Sequence, residues 1–263
     1  SFFYFYLMNN SPIGIFDSGI GGITILNSIK KILPNENIIY FSDNFNSPYG
    51  NKSKDKIQKL SFTNTRFLID NGCKLIVVGC NTATTNSIEE LRSNFKIPFI
   101  GIEPAIKPAA IQTKSGMVGV LATKGTLSSR LFSNTVNDYA KNINIIEQNA
   151  EGLVELIEKG FFDGDKIEKK LKKYLFPMVN KGIDHLVLGC THYPLLIKTI
   201  RSLIPKNIKI IDSGKAVAKQ TKKLIEKNNI ESNLIEVKYS FYCNGSPKSL
   251  NMILNNKFAI NSI

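Results

Sequence analysis

The 263-residue chain has no tryptophan, two histidines and four cysteines, Cys73, Cys80, Cys190 and Cys243. The cysteines lie far apart and form no CxxC pair, which argues against a zinc ribbon and against a small disulfide scaffold. A reducing compartment fits this usage, and the expected location is the cytoplasm. No apolar run approaches the ~20 residues of a membrane helix, so no membrane partner is expected. The N-terminal SFFYFYL is apolar but lacks the basic start and small-residue cleavage site of a signal peptide. With Met8 directly after it, this stretch reads as an extension ahead of the natural start.

Arginine is scarce as well. Of 34 basic residues only Arg66, Arg92, Arg130 and Arg201 are arginine, so the net charge of +13 is a lysine excess. A strongly basic chain raises nucleic acid as a partner. Base readers, however, lean on the bidentate arginine fork, and Lys, Asn and Ile, all abundant here, share A/T-rich codons. Nucleic acid is therefore not the expected partner. The glycine-rich GIGG lacks both the GxGxxG spacing and the lysine of a phosphate loop, so no nucleotide cofactor is expected.

What is present is a regular alternation. IGIF reads as a strand, a helix follows to Leu33 before Pro34, and NIIYFSD is a second strand. A helix over 52–70 ends at the cap signal Asn71-Gly72. KLIVVG, uninterrupted by charge, reads as a parallel strand buried on both faces. A short helix and the strand IPFIGIE close the first series. After Glu103-Pro104 the design restarts with MVGVLATKGTLSSRLF, INIIEQ, the helical GLVELIEKG, a helix near 165–180, HLVLG and a helix from Pro194 to Leu203. The remainder adds the strand IKIID, a lysine-rich helix, the strand EVKYSFY and a last helix. The expectation is an α/β protein of two similar, pseudo-duplicated parallel-sheet domains with the active site in the cleft between them. Residues 8–106 with 213–263 form the first domain and carry Cys80, and 107–212 form the second and carry Cys190.

In open parallel sheets, ligands bind beyond the C-terminal strand ends. Asp17-Ser18, Cys80-Asn81-Thr82 and Cys190-Thr191-His192 all sit there. Each cysteine precedes a predicted helix, whose amide end is expected to favour thiolate and to hold carboxylates. Two opposed thiols without a cofactor motif suit a two-base racemase, in which one removes a proton from a carbon and the other returns one on the opposite face. Asp17 would assist near Cys80. The matching turn of the second half, LATKG, has no carboxylate, and His192 stands beside Cys190 instead. Cys73, Cys243 and His185 read as core residues. Two other readings use the same features: a nucleic-acid-binding protein suggested by the charge, and a zinc site using Cys190 and His192.

FDSGIGG, SPYG, GCNTATT, IEPAIKPAA and LGCTHYP together resemble the glutamate racemases of the aspartate/glutamate racemase superfamily, over nearly the whole chain from Pro12. The resemblance implies a cofactor-independent, metal-free interconversion of L- and D-glutamate that supplies D-glutamate for peptidoglycan, by a homodimer. It implies that Cys80 acts on D-glutamate and Cys190 on L-glutamate, assisted by Asp17 and His192, with Glu158 of GLVELIE on the Cys190 side. Substrate contacts are implied for Asp17, Ser18, Tyr49, Gly50, Asn81, Thr82, Thr191 and His192. A racemase for aspartate or another amino acid, or a decarboxylase of the same superfamily, shares this framework.

Overall fold

The computed structural model describes residues 9–263. The N-terminal extension at 1–7, and Met8 with it, lies outside the described residues. Strand β1 (Ile13–Asp17), helix α1 (Ile23–Ile32), β2 (Ile38–Ser42), α2 (Lys54–Asp70), β3 (Leu75–Val78), α3 (Asn81–Asn94) and β4 (Phe99–Gly101) form the first series. Helix α4 (Ile106–Gln112) leads to β5 (Met117–Ala122), α5 (Lys124–Leu127), α6 (Arg130–Tyr139), β6 (Asn144–Asn149), α7 (Leu153–Glu158), α8 (Asp165–Asn180), β7 (His185–Gly189), α9 (Ile197–Leu203) and β8 (Lys209–Ile211). Helix α10 (Gly214–Lys227), β9 (Tyr239–Cys243), α11 (Lys248–Ile253) and β10 (Ile260–Ser262) complete the chain.

Two parallel-sheet α/β domains result. One sheet runs β10-β9-β2-β1-β3-β4 and the other β6-β5-β7-β8, with every ladder parallel. Within each, the four consecutive strands take the order second, first, third, fourth, so the repeat seen in sequence is also a repeat of topology. All residues of β1, β2, β3 and β7 are buried, as expected for parallel strands covered by helices on both faces.

Local chemistry sets the element ends. In α1, Ile23, Ile25, Leu26 and Ile29 face the core, and Lys30 and Lys31 in its last turn complement the negative end of the helix dipole. Gly72 ends α2 with φ +77°, a left-handed conformation that glycine adopts without steric cost, and its N–H donates to Ile69 O at 2.9 Å. The tail returns to the first sheet as expected: β9 pairs with β2, and α10 packs on α1. One continuous apolar cluster joins the domains, including Ile15 and Ile20 of the first half and Val154, Ile157 and Leu188 of the second.

Three elements differ from the sequence reading, the first being helix α4 (Ile106–Gln112), which that reading did not contain. The stretch after Cys190 enters a 3₁₀ turn, Tyr193–Leu196, before α9 begins. Strand β10 was not anticipated; it is three residues long, polar and at a sheet edge, paired only with β9.

Candidate active site

Because the strands are parallel, the turns after β1, β3, β5 and β7 open on the same side of their sheets, and they meet between the domains. Cys80 caps α3. Cys190 follows β7, its carbonyl accepting from Tyr193 N at 3.1 Å. The structure brings both thiols to one narrow cavity, lined also by Ser18, Tyr49, Gly50, Asn81, Thr82 and His192. The cavity has room for about one water molecule. Its walls must separate to admit any larger substrate.

Behind Cys190 lies a relay. His192 Nδ1 is 3.8 Å from Cys190 Sγ, and Nε2 is 2.6 Å from Glu158 Oε1. The same Glu158 oxygen accepts from Ile20 N at 2.8 Å, in the glycine-rich turn of the other domain. Burial works to lower the His192 pKa, but its hydrogen bonds to Cys190 and Glu158, and their charges, outweigh burial and hold it well above the ordinary value. The protonated form of the His192 ring is thus favoured, within reach of the Cys190 sulfur. The turn must be glycine here: a Cβ on Gly19 would stand 2.6 Å from Glu158 Cδ and 3.1 Å from His192 Nε2.

On the other side, Ser18 Oγ is 3.6 Å from Cys80 Sγ. Asp17 is fully buried. Its Oδ1 accepts from Gly19 N at 2.7 Å and its Oδ2 from Thr191 Oγ1 at 2.8 Å, a bond between the domains. Burial raises its carboxyl from 3.8 to about 6, against the lowering effects of His192 and Thr191. Such a carboxyl titrates near neutrality beside a thiol. Asp17, Thr191 and Glu158 stand behind the cavity wall rather than in it.

The expectation that helix amides would favour thiolate at Cys80 is corrected. Burial, followed by the charge of Asp17, pushes this thiol up; the Ala83 N–H and Ser18 pull it down without prevailing. Nor does an α-helix start directly after Cys190. Burial thus favours the neutral thiol at Cys80.

None of the cavity-lining residues is Lys or Arg. The hydroxyls of Ser18 and Thr82, the Asn81 side chain and the His192 ring are the side-chain donors available there to an anionic substrate. Asn81 Nδ2 is buried and has no hydrogen-bond partner among the described residues, a donor able to serve a bound acceptor. Tyr49 is placed with its ring toward the cavity and its hydroxyl away from it, bound to Asp43 and accepting from Asn64 Nδ2 at 3.0 Å.

Sequence reasoning missed Pro48, Thr123 and Val154, which also line the cavity. Thr123 Oγ1 lies 2.8 Å from Thr82 Oγ1 across the domain boundary. Its position in LATKG, the counterpart of the Asp17-Ser18 turn, was a usable signal; Val154 had none. His185 is buried, with Nδ1 2.7 Å from Asp184 Oδ1. Cys73 and Cys243 are buried outside the cavity. Among the described residues no group of three His, Cys, Asp or Glu is placed to hold a metal ion, and no helix is long and apolar enough to cross a membrane. In the pairing considered for zinc, His192 has both ring nitrogens engaged.

Known proteins share this arrangement. A model of the family Asp/Glu/Hydantoin racemase matches residues 22–221. The glutamate racemase of Herpetosiphon aurantiacus is 44% identical over 218 residues, covering 83% of this chain and 86% of that protein. That of Stutzerimonas stutzeri is 39% identical over 245 residues, covering 93% and 92%. Among solved structures, a glutamate racemase from Francisella tularensis in complex with D-glutamate superposes with TM-score 0.84 at 32% identity, covering 97% of this chain and 98% of that one. An aspartate racemase from Picrophilus torridus, with TM-score 0.56 and 20% identity over 84% of this chain and 94% of that one, shares the fold. The chain belongs to the Asp/Glu/Hydantoin racemase family.

Proposed function

We propose that the chain is a glutamate racemase, interconverting L- and D-glutamate by two cysteine bases without cofactor or metal and supplying D-glutamate for peptidoglycan. The observation that carries this is the pair Cys80 and Cys190 on one narrow cavity, each with a different polar neighbour. Cys80 works on D-glutamate and Cys190 on L-glutamate. The sulfur that faces the α-proton acts as a thiolate and takes it, the thiol opposite delivers its own proton and becomes the thiolate, and configuration inverts. Asp17, titrating near 6, assists exchange at Cys80, and His192, held by Glu158, does so at Cys190. Donors around the substrate carboxylates, and expulsion of water as the domains close on substrate, stabilise the carbanionic charge.

The catalytic unit is the domain of residues 8–106 with 213–263 closing on that of 107–212, which agrees with the membership of the two sheets. We read it as a cytoplasmic homodimer that does not bind nucleic acid; sedimentation equilibrium and a gel shift at physiological salt test these two points. The activity is tested by circular dichroism of L- and then D-glutamate with no cofactor and with a chelator present. Decay to zero from both enantiomers is expected. Turnover of aspartate with glutamate untouched contradicts the substrate.

A further inference from the structure

Asp43 follows β2 and is fully buried, yet it lies outside the catalytic cavity and the reaction does not use it. Its carboxylate is surrounded by donors from four parts of the chain. Asn46 Nδ2 donates to Oδ1 at 2.8 Å, Asn64 Nδ2 of α2 to Oδ2 at 3.4 Å, and Tyr49 OH to Oδ2. Asn244 Nδ2, just past β9, also donates to Oδ1. The Asp43 N–H donates to Asp17 O at 2.9 Å, which fixes the start of this loop against the catalytic strand.

Only a carboxylate satisfies this set. Every side-chain partner presents a hydrogen, so the centre must be an acceptor with lone pairs on both atoms. An amide at 43 would turn one NH₂ group toward other donors and leave at least one of them unpaired in a buried place. The object being held is the turn Pro48–Tyr49–Gly50, all three residues of which line the cavity. Gly50 packs closely against the second domain: a Cβ there would stand 2.8 Å from Thr123 Cβ.

The C-terminal segment is tied into the same centre. Besides the bond from its Nδ2 to Asp43, Asn244 accepts from Phe45 N through Oδ1 at 3.1 Å, and Asn44 Nδ2 donates to Ser246 O at 2.6 Å. We infer that Asp43 is a positioning residue: its carboxylate sets the Pro48–Gly50 wall of the substrate cavity, and through Asn244 it makes that wall depend on the segment after β9. The inference rests on the racemase reading of the site. It adds that substrate fit is controlled by residues that never touch substrate.

Asp43→Asn, Tyr49→Phe and Asn244→Ala test it, with KM and kcat measured for both enantiomers and thermal unfolding followed in parallel. Asp43→Asn is expected to raise KM about tenfold or more for L- and D-glutamate, with kcat changed much less, because the two thiols and their neighbours stay in place. Asn244→Ala should raise KM in the same direction, by about threefold, from outside the cavity. The Asp43→Asn and Tyr49→Phe effects on kcat/KM should be strongly non-additive, since both act through one bond. A folded Asp43→Asn protein with wild-type KM overturns the proposal, as does a loss of kcat with KM unchanged. Should Asp43→Asn not fold, wild-type KM in both other variants overturns it. Wild-type turnover of glutamate tests the racemase reading by itself, and if another amino acid proves to be the substrate, the same KM ratios are taken with that one.

Discussion

Thr191 Oγ1 donates to Asp17 Oδ2 at 2.8 Å, joining the domain that carries Cys190 to the carboxylate that attends Cys80. Each thiol's surroundings are thus completed by the other half of the molecule: Asp17 is held from the second domain, and Glu158 of the second domain is held by Ile20 N of the first.

Thr191→Val removes a hydrogen bond that lowers the Asp17 pKa, so that carboxyl rises further above 6. The acidic limb of kcat/KM should move up by about 1 to 2 pH units, the size of a bond to a charged acceptor. Titrating activity between pH 5 and 8 checks this, and an unmoved limb contradicts a role for Asp17 ionisation.

The same carboxyl links stability to pH. Its folded pKa, about 6, lies above its ordinary 3.8, so the folded state holds the proton more tightly. Stability from this group is present below about pH 4 and is lost as pH rises through 6, a change of about 3 kcal/mol. Urea unfolding of Asp17→Asn relative to wild type should therefore show a difference that shifts in favour of the variant between pH 4 and 7. A difference independent of pH contradicts the raised pKa.

Glu158→Gln keeps the shape but removes the charge that helps hold His192 protonated. The His192 pKa should fall, bringing the basic limb of the rate profile to lower pH, with kcat/KM down by about tenfold to a hundredfold. Loss of rate without movement of that limb would mean that Glu158 only packs.

Away from the cleft, Lys74 Nζ lies 2.6 Å from Glu36 Oε2 with both side chains no more than 2% exposed, and it donates to Ile230 O at 2.7 Å. Lys74→Met leaves a buried carboxylate without its cation and should cost about 3 to 5 kcal/mol, whereas Glu36→Gln with Lys74→Met should cost clearly less. Urea midpoints of the three proteins decide it, and equal losses for single and double variants contradict the pairing.

Much of this was legible in the sequence because its signals are local. Charge-free runs such as LIVVG mark buried parallel strands, and the doubled Gly-Cys motif places both thiols at strand ends. What escaped depends on distant partners. Asp43 looks like any polar residue after a strand until Asn64 and Asn244 are brought to it. Thr123 gains its role only from Thr82 opposite. The ionisation of Cys80 was misjudged because helix amides are visible in sequence, while the burial that outweighs them is a property of two closed domains.

The central claim, that Cys80 and Cys190 serve opposite faces of one α-carbon, is tested most directly by racemisation in D₂O with wild type, Cys80→Ala and Cys190→Ala. The account predicts that wild type converts each enantiomer to a product deuterated at the α-carbon, and that neither folded single variant interconverts them. A single variant that racemises at the wild-type rate, or a wild-type product formed without α-deuterium, contradicts it.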